Sequence, residues 1–424
     1  MIAPGESIAV VGAGVAGITA AHLLQERYTV TLLERADRLG GHTNTITIPD
    51  GPDQGARVDT GFIVLNDTNY PLFHRLLERL ECRWRWSDMS FSYESATGDW
   101  SYAGTGFNGL FAQRRNLFRP AYYRFLKEII RFCRASLSDL EQGSLGNRTM
   151  QEYLDALGCS ERVRRRYIYP MAAAIWSAPQ QDVAGFPAAT LLHFWRNHGL
   201  LSTQNRPRWQ TVCGGSSTYV EAFRKRFTGT LRTGVQLKVI ERDPQGVTLR
   251  YADGQTERYA AVVIATHADQ TLPLLAAPTA DEVALLGAWN YQDNKTVLHT
   301  DIRFLPRNRR AWASWNYVEP PEMKSDQPVP VTYHMNQLQG LKTTKTYCVT
   351  LNPVTPVAPE HLIETIHYAH PVYSREAVAT QPRLPELNGN QRTWYCGSYF
   401  GYGFHEDAVR SGVRVAECLG ISKV

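Results

Sequence analysis

No run in the sequence approaches the eighteen or so apolar residues that a membrane-crossing helix needs, so no spanning segment is expected. The opening residues lack a basic stretch followed by an apolar core, so no secretory leader is expected either. Cysteine is sparse: Cys82, Cys133, Cys159, Cys213, Cys348, Cys396 and Cys418 are scattered and form no Cys-x-x-Cys pair. Neither a disulfide framework nor a zinc site is indicated, no metal is expected, and the thiols read as reduced in a cytoplasmic protein. Charge of one sign is also lacking, since the formal net charge is only +5. That is too weak to argue for nucleic acid as a partner, although it permits a local basic patch. Internal repeats and low-complexity linkers are absent. What remains is an ordinary globular composition, 43% hydrophobic and 20% charged over 424 residues. That length exceeds one compact core, so two domains are expected.

The first sixty residues carry the strongest local signal. Ser7-Ile8-Ala9-Val10-Val11 is a short apolar, β-branched run, as in a strand buried on both faces. It leads into Gly12-Ala13-Gly14-Val15-Ala16-Gly17, a helix from Ile18 to Arg27, and a second apolar strand that ends on Glu34. That is a complete βαβ dinucleotide-binding unit. Gly12 permits the tight turn, Gly14 admits a pyrophosphate to the backbone, and Gly17 allows close helix–strand packing. The helix N-terminus offers free N–H groups to phosphate. Glu34 is placed to accept from ribose hydroxyls and to repel a 2′-phosphate, which argues against NADP. A second match to the spacing, Gly104 to Gly109, has neither the preceding branched strand nor the following acidic strand end, so it is not expected to bind a nucleotide.

Later segments add to this. After Glu34 and Arg35 comes a second glycine pair, Gly40-Gly41-His42-Thr43, and then Val58-Asp59-Thr60-Gly61-Phe62. Residues 70–205 read mainly as helices, with apolar residues at helical spacing from Tyr122 to Leu140. Arg114, Arg115, Arg119, Arg124, Lys127, Arg131 and Arg134 make the 114–134 stretch a basic segment. It suits contact with an anionic membrane surface, and equally a solvated helix face. Strand patterns return at 211–270, with a hairpin signal at Asp253-Gly254 and a buried strand at Tyr259–Thr266. Residues 275–385 contain further strand-like runs. The chain ends with the strand Trp394–Ser398, the turn Gly401-Tyr402-Gly403-Phe404-His405-Glu406-Asp407 and a helix from Ala408.

Together these segments resemble the FAD-dependent amine oxidase superfamily. The resemblance implies an α/β fold with α+β insertions: a Rossmann-like FAD-binding domain and a discontinuous substrate domain of mixed sheet plus helices. The FAD domain is expected from residues 1–69, 206–274 and 386–424, and the substrate domain from 70–205 and 275–385. Non-covalent FAD is the implied cofactor. The Gly40–Thr43 turn would lie beside it, and Gly61 and Phe62 would bring backbone against the flavin ring. Leu237 would meet the adenine, and Thr266 the phosphates or ribityl chain. The final element, with Gly397, Ser398, Phe404, His405, Glu406 and Ala408, would meet the pyrimidine end of the ring. Lys295 matches the lysine that holds a water near flavin N5 in amine oxidases. His405 is a candidate proton relay, since an unperturbed imidazole titrates near neutrality.

Trp312–Tyr317, Tyr333–Gln339, His370-Pro371 and Gly401–Asp407 narrow the resemblance further. They are similar to a bacterial subgroup of NAD/FAD-binding oxidoreductases associated with cyclopropane-fatty-acid synthase-type lipid methyltransferases. That implies dehydrogenation of a hydrophobic, lipid or modified fatty-acyl substrate by hydride transfer to N5, with a lipid methyltransferase as a partner. The aromatic position before the final helix is Phe404, without a phenol, and Cys396 aligns with a strand residue rather than with a cysteine carrying covalent flavin. Both departures weigh against a primary amine. Two alternatives stay open: an amine or amino-acid oxidase, and a non-catalytic flavoprotein subunit of a lipid-modifying complex.

Overall fold

The computed structural model describes residues 2–176, 179–202, 204, 206–322, 327 and 329–421. The first strand, β1 (Ser7–Val11), lies at the centre of a five-stranded sheet. Its neighbours are β2 (Thr29–Leu33) on one side and Ala261–Ile264 on the other, and Thr230–Arg232 and Thr393–Tyr395 form the edges. All four pairings are parallel. A parallel sheet must be covered on both faces, which explains why Ile8, Ala9, Val10 and Val11 are all buried.

Between the first two strands runs α1 (Val15–Leu24), buried along almost its whole length. It packs against the final helix, His405–Cys418. The two backbones approach so closely that a Cβ on Gly412 would lie 2.6 Å from the Ala16 carbonyl oxygen. The small Ser411-Gly412 pair therefore sets the helix separation, and Ser411 Oγ also accepts from the Gly397 N–H at 2.9 Å.

A second, seven-stranded sheet runs Leu362–Pro371, Tyr291–His299, Cys348–Leu351, Val331–His334, Trp315–Val318, Phe91–Glu94 and Ser101–Ala103. Trp315–Val318 pairs with Phe91–Glu94 in parallel, and the other pairings are antiparallel. A mixed sheet is thus present, but its last two strands come from the stretch whose pattern reads mainly as helical. The long helix of that stretch spans Pro120–Gln142, closed by Gly143 at φ +64°. The Gly104–Gly109 match falls on a turn and the four-residue helix Phe107–Leu110 after an antiparallel edge strand, with no βαβ context.

A three-stranded antiparallel unit, Leu237–Asp243, Gly246–Tyr251 and Thr256–Tyr259, adjoins the parallel sheet. A buried ion pair anchors it: Arg242 meets Glu282 at 2.5 Å, each side chain only 2% exposed, and Tyr395 Oη donates to the same carboxylate.

Candidate active site

The turn after β1 is built for close approach. Gly12 has φ +101°, and a Cβ there would lie 2.8 Å from the Ala265 carbonyl oxygen, so only glycine fits. A Cβ on Gly17 would sit 1.9 Å from the Gly12 oxygen. Gly14 differs: it caps α1 in an extended conformation, and the space where its Cβ would stand is open for 4 Å. The first turn of α1 carries no acidic residue, so the N–H groups around Val15, Ala16 and Gly17 and the helix dipole face that space uncompensated.

Glu34 directly follows β2, beside this turn. Its carboxylate accepts from the N–H of Ala13 at 2.7 Å and of Ala36 at 2.9 Å. Ala13 therefore orients the acid rather than offering its own N–H to a ligand. The Ala13 carbonyl in turn accepts from Gly40 N–H, and Gly41 rests on Gly14, where a Cβ would be 3.3 Å from the Gly14 Cα. The two glycine turns, joined by contacts 27 positions apart in sequence, thus form one backbone surface. Arg38 straps it by donating to the carbonyls of Gly41 (2.8 Å) and Thr43 (3.1 Å). Sequence reasoning passed over Arg38, because an arginine in a polar turn carries no motif. Arg35 is exposed, with its charge near His267 and Asp269.

Thr43, Phe62 and His405 come together although 362 positions separate the first from the last. His405 stacks on Phe62 with ring centroids 3.5 Å apart, and its Nε2 lies 3.0 Å from Thr43 Oγ1 and 3.3 Å from Tyr219 Oη. Burial first, and then the nearby His42 imidazole, push its pKa well below the usual value, so the ring is neutral. With Nε2 committed to two hydroxyls, His405 brackets the final helix onto the glycine-pair turn, and the relay role gains no support. Glu406 is likewise occupied: its two oxygens accept from the N–H groups of Leu72 and Phe73, capping the helix Pro71–Arg79. Asp407 caps its own helix through Tyr402 and Phe404 N–H. Ala408 is buried in the first turn, Ser398 accepts from the N–H groups of Gly401 and Gly403, and Phe404 stacks on Phe194 at 4.7 Å.

A second cluster surrounds His42. Its ring lies 5.0 Å from His370, 5.1 Å from Tyr368 and 5.8 Å from His267, which stacks on Tyr291 at 4.5 Å. Gly61 is required here, since its Cβ would fall 2.0 Å from the His42 carbonyl oxygen. Burial first, and then the mutual proximity of these imidazoles and of Arg38 and Arg35, lower His42 and His370 to about 3 and His267 to about 4, so all three are uncharged at neutral pH. Asn294 Nδ2 donates to His370 Nδ1 at 2.7 Å, which leaves the proton of the neutral ring on Nε2. Tyr291, Asn294 and Tyr368 had no signal in the sequence; only β-strand alternation in the 291–299 and 362–371 runs points at them.

That alternation decides the position of Lys295. Asn294 and Tyr368 are paired across the sheet and buried on the histidine side. Lys295 pairs with His367, and both are exposed, with Asp293, on the opposite face. The water-holding role expected of Lys295 finds no support in this geometry. Of the remaining positions, Thr266 lies against the Gly12 turn, and its Oγ1 is 3.0 Å from Thr271 Oγ1. Leu237 opens its strand at a register shift, pairing with Tyr251 while Val239 pairs with Arg250.

The residues present fit a flavin dinucleotide. Gly14 opens onto free space at a helix N-terminus, Glu34 keeps acceptor capacity, and His42 Nε2 and His267 Nδ1 are buried without a hydrogen-bond partner among the described residues. The family's sequence profile, described as flavin containing amine oxidoreductase, matches residues 15–328. The chain belongs to that family. It is an FAD-dependent oxidoreductase. No curated protein sequence matches this family member. Among solved structures it resembles a wild-type putrescine oxidase bound to putrescine, with a TM-score of 0.68, 14% identity and 99% of each chain covered. A CLA-producing fatty acid isomerase from P. acnes has a TM-score of 0.66 and 16% identity, over 98% of this chain and 99% of that one. Cyclohexylamine oxidase from Brevibacterium oxydans IH-35A has a TM-score of 0.65 and 15% identity, over 98% and 99%. At these identities the likeness is one of fold.

Proposed function

We propose that this flavoenzyme dehydrogenates a carbon–carbon bond in a hydrophobic, lipid-like acyl substrate. The observation that carries the reading is the electrostatic character of the site. Glu34, Asp59, Glu406 and Asp407 are the acids it gathers, and every one is held by the protein's own N–H or hydroxyl donors. Asp59 is buried deeply enough that its pKa rises to about 6. The histidines are neutral. Apart from Glu34, whose spare acceptor sites are assigned to the adenosine ribose, these acids are committed to protein donors, and none is left unpaired to hold a buried substrate ammonium. The wall beside Phe404 is aromatic instead, with Phe194 stacked on it and Tyr402 6.0 Å from Phe194. The fold does not choose the substrate, since the amine oxidases and the fatty acid isomerase share it.

When bound, FAD supplies the two-electron acceptor, taking up hydride at N5. The chain's own residues do the rest. Gly14 and the first turn of α1 would receive the pyrophosphate, and Glu34 the adenosine ribose. Phe404 and Phe194 present the apolar surface, and Gly61 allows the 61–62 backbone to lie against His42. In the reaction, adjacent carbons would each lose one hydrogen, one as hydride to the flavin and one as a proton released to solvent, leaving an alkene.

The test is anaerobic bleaching of the oxidised-flavin absorption. The holoenzyme is challenged with bacterial phospholipid, with methyl-branched and cyclopropane acyl lipids, and with a panel of amines. Bleaching by lipid alone, with a product two hydrogens lighter by mass spectrometry, is expected. Bleaching by amines would replace the proposal with amine oxidation. Flavin reduced by none of them would favour the non-catalytic subunit.

A further inference from the structure

The exposed face made by Phe107, the turn Arg114–Phe118 and the outer side of the helix Pro120–Gln142 is unlike the rest of the surface. Phe118 is 86% exposed and Phe107 63%, the two highest values among the exposed large apolar side chains, and Ile130 (48%) and Tyr123 (47%) lie on the same stretch. Phe107 and Tyr123 share one neighbourhood with Leu117, the residue before Phe118. Phe107 packs on Phe111 at 4.9 Å, Phe111 lies 6.0 Å from Tyr123, and Tyr123 Oη donates to the carbonyl of Leu117.

The charges are as one-sided as the aromatics are exposed. Residues 104–134 hold seven Arg or Lys side chains and one acid, Glu128. Glu128 is turned onto the N–H and hydroxyl of Ser160. None of the seven cations belongs to an ion pair among the described residues. Tyr123, Arg124, Lys127, Ile130, Arg131 and Arg134 fall at helical spacing on one side, and all are exposed. The opposite side, with Tyr122, Phe125, Phe132 and Leu140, is buried in the core, so the helix is fixed flat.

We propose that this face docks the enzyme on an anionic lipid bilayer. Phe107, Phe118 and Tyr123 enter the interface, and the cations meet the headgroups. Charge complementarity selects this occupant. Exposed aromatics interleaved with unpaired cations on a rigid amphipathic helix suit an anionic interface, where ring and charge are both satisfied. The proposal rests on the surface alone, independent of the substrate reading. The helix does pack inward through Phe132 onto Trp195, in the same helix as Phe194 of the aromatic wall.

The test is co-sedimentation of the full-length holoenzyme with phosphatidylcholine vesicles and with vesicles containing 30% phosphatidylglycerol, in about 0.1 M salt, where the Debye length is about 10 Å. Binding to the anionic vesicles alone, weakened by 0.5 M salt, is expected. A quadruple variant, Arg124→Gln/Lys127→Gln/Arg131→Gln/Arg134→Gln, should lose more than about tenfold in partition. Phe107→Ser/Phe118→Ser should also bind more weakly, whereas Val283→Ser, at an exposed apolar position elsewhere, should bind as wild type. Absence of binding overturns the proposal. So does equal binding to duplex DNA that the phenylalanine variant leaves unchanged, which would make the face a general polyanion site. Thermal melting and the flavin spectrum verify that each variant is folded.

Discussion

Glu34→Gln is a perturbation whose size follows from counting acceptors. A carboxylate offers about four lone-pair sites, and Glu34 spends two of them on the N–H groups of Ala13 and Ala36. The other two are free for the adenosine ribose hydroxyls. Glutamine has one carbonyl oxygen, and Ala13 and Ala36 donate to different carboxylate oxygens, so the amide can keep only one of these backbone bonds. Its –NH2 meanwhile faces donors. The oxygen that becomes –NH2 therefore loses one backbone bond and one ribose bond, each contributing about 1.5–3 kcal/mol. The ribose bond alone, at the lower value of about 1.5 kcal/mol, corresponds to roughly a 10-fold rise in the Kd for FAD. Titrating apoprotein with FAD and following flavin fluorescence measures it. A variant that melts normally as apoprotein yet binds FAD within about threefold of wild type would refute the role given to Glu34, since even one such bond exceeds that.

Three more outcomes are expected. Lys295→Met should change kcat by less than about twofold, because the ammonium lies on the solvent face; a tenfold loss would restore the lysine to the chemistry. Glu282→Leu leaves Arg242 buried and unpaired, which costs about 3–5 kcal/mol, or roughly 3–6 °C in Tm for a chain of this length; a shift under about 1 °C contradicts it. The neutral histidines make the fold sensitive to acid. With folded pKa values of about 3 for His42 and His370 and about 4 for His267, against about 6.5 unfolded, the unfolded chain binds more protons between these limits. Their contribution is complete above pH 6.5 and is lost as pH falls toward 3. Asp59, raised to about 6, acts in the opposite sense between its unfolded value and pH 6. His42→Gln/His370→Gln should therefore show a shallower fall of Tm from pH 7 to 5 than wild type, and an unchanged slope would count against the assignment.

The cofactor turn was legible because its requirements are local. Gly12 must reach φ +101°, Gly17 must admit a carbonyl, and Glu34 must end the next strand, all within one βαβ unit. Side-chain chemistry can be read when a short stretch of chain dictates it. The Gly40-Gly41 pair was legible too, but not its seat on Gly14, which depends on how two turns meet.

Tertiary structure alone decided the roles of the polar side chains. A side chain's address in a motif does not say which donor reaches it first. Glu406 went to the helix at Pro71–Arg79, and His405 to Thr43 and Tyr219. Lys295 and Asn294 are neighbours in sequence, yet the two-residue period of a strand sends one to solvent and the other to the histidine cluster. That cluster joins residues 42, 267 and 370, which no spacing connects. Local backbone geometry is encoded in consecutive residues. The pairing of buried polar groups is settled only once distant segments have been packed together and each group has found its partner.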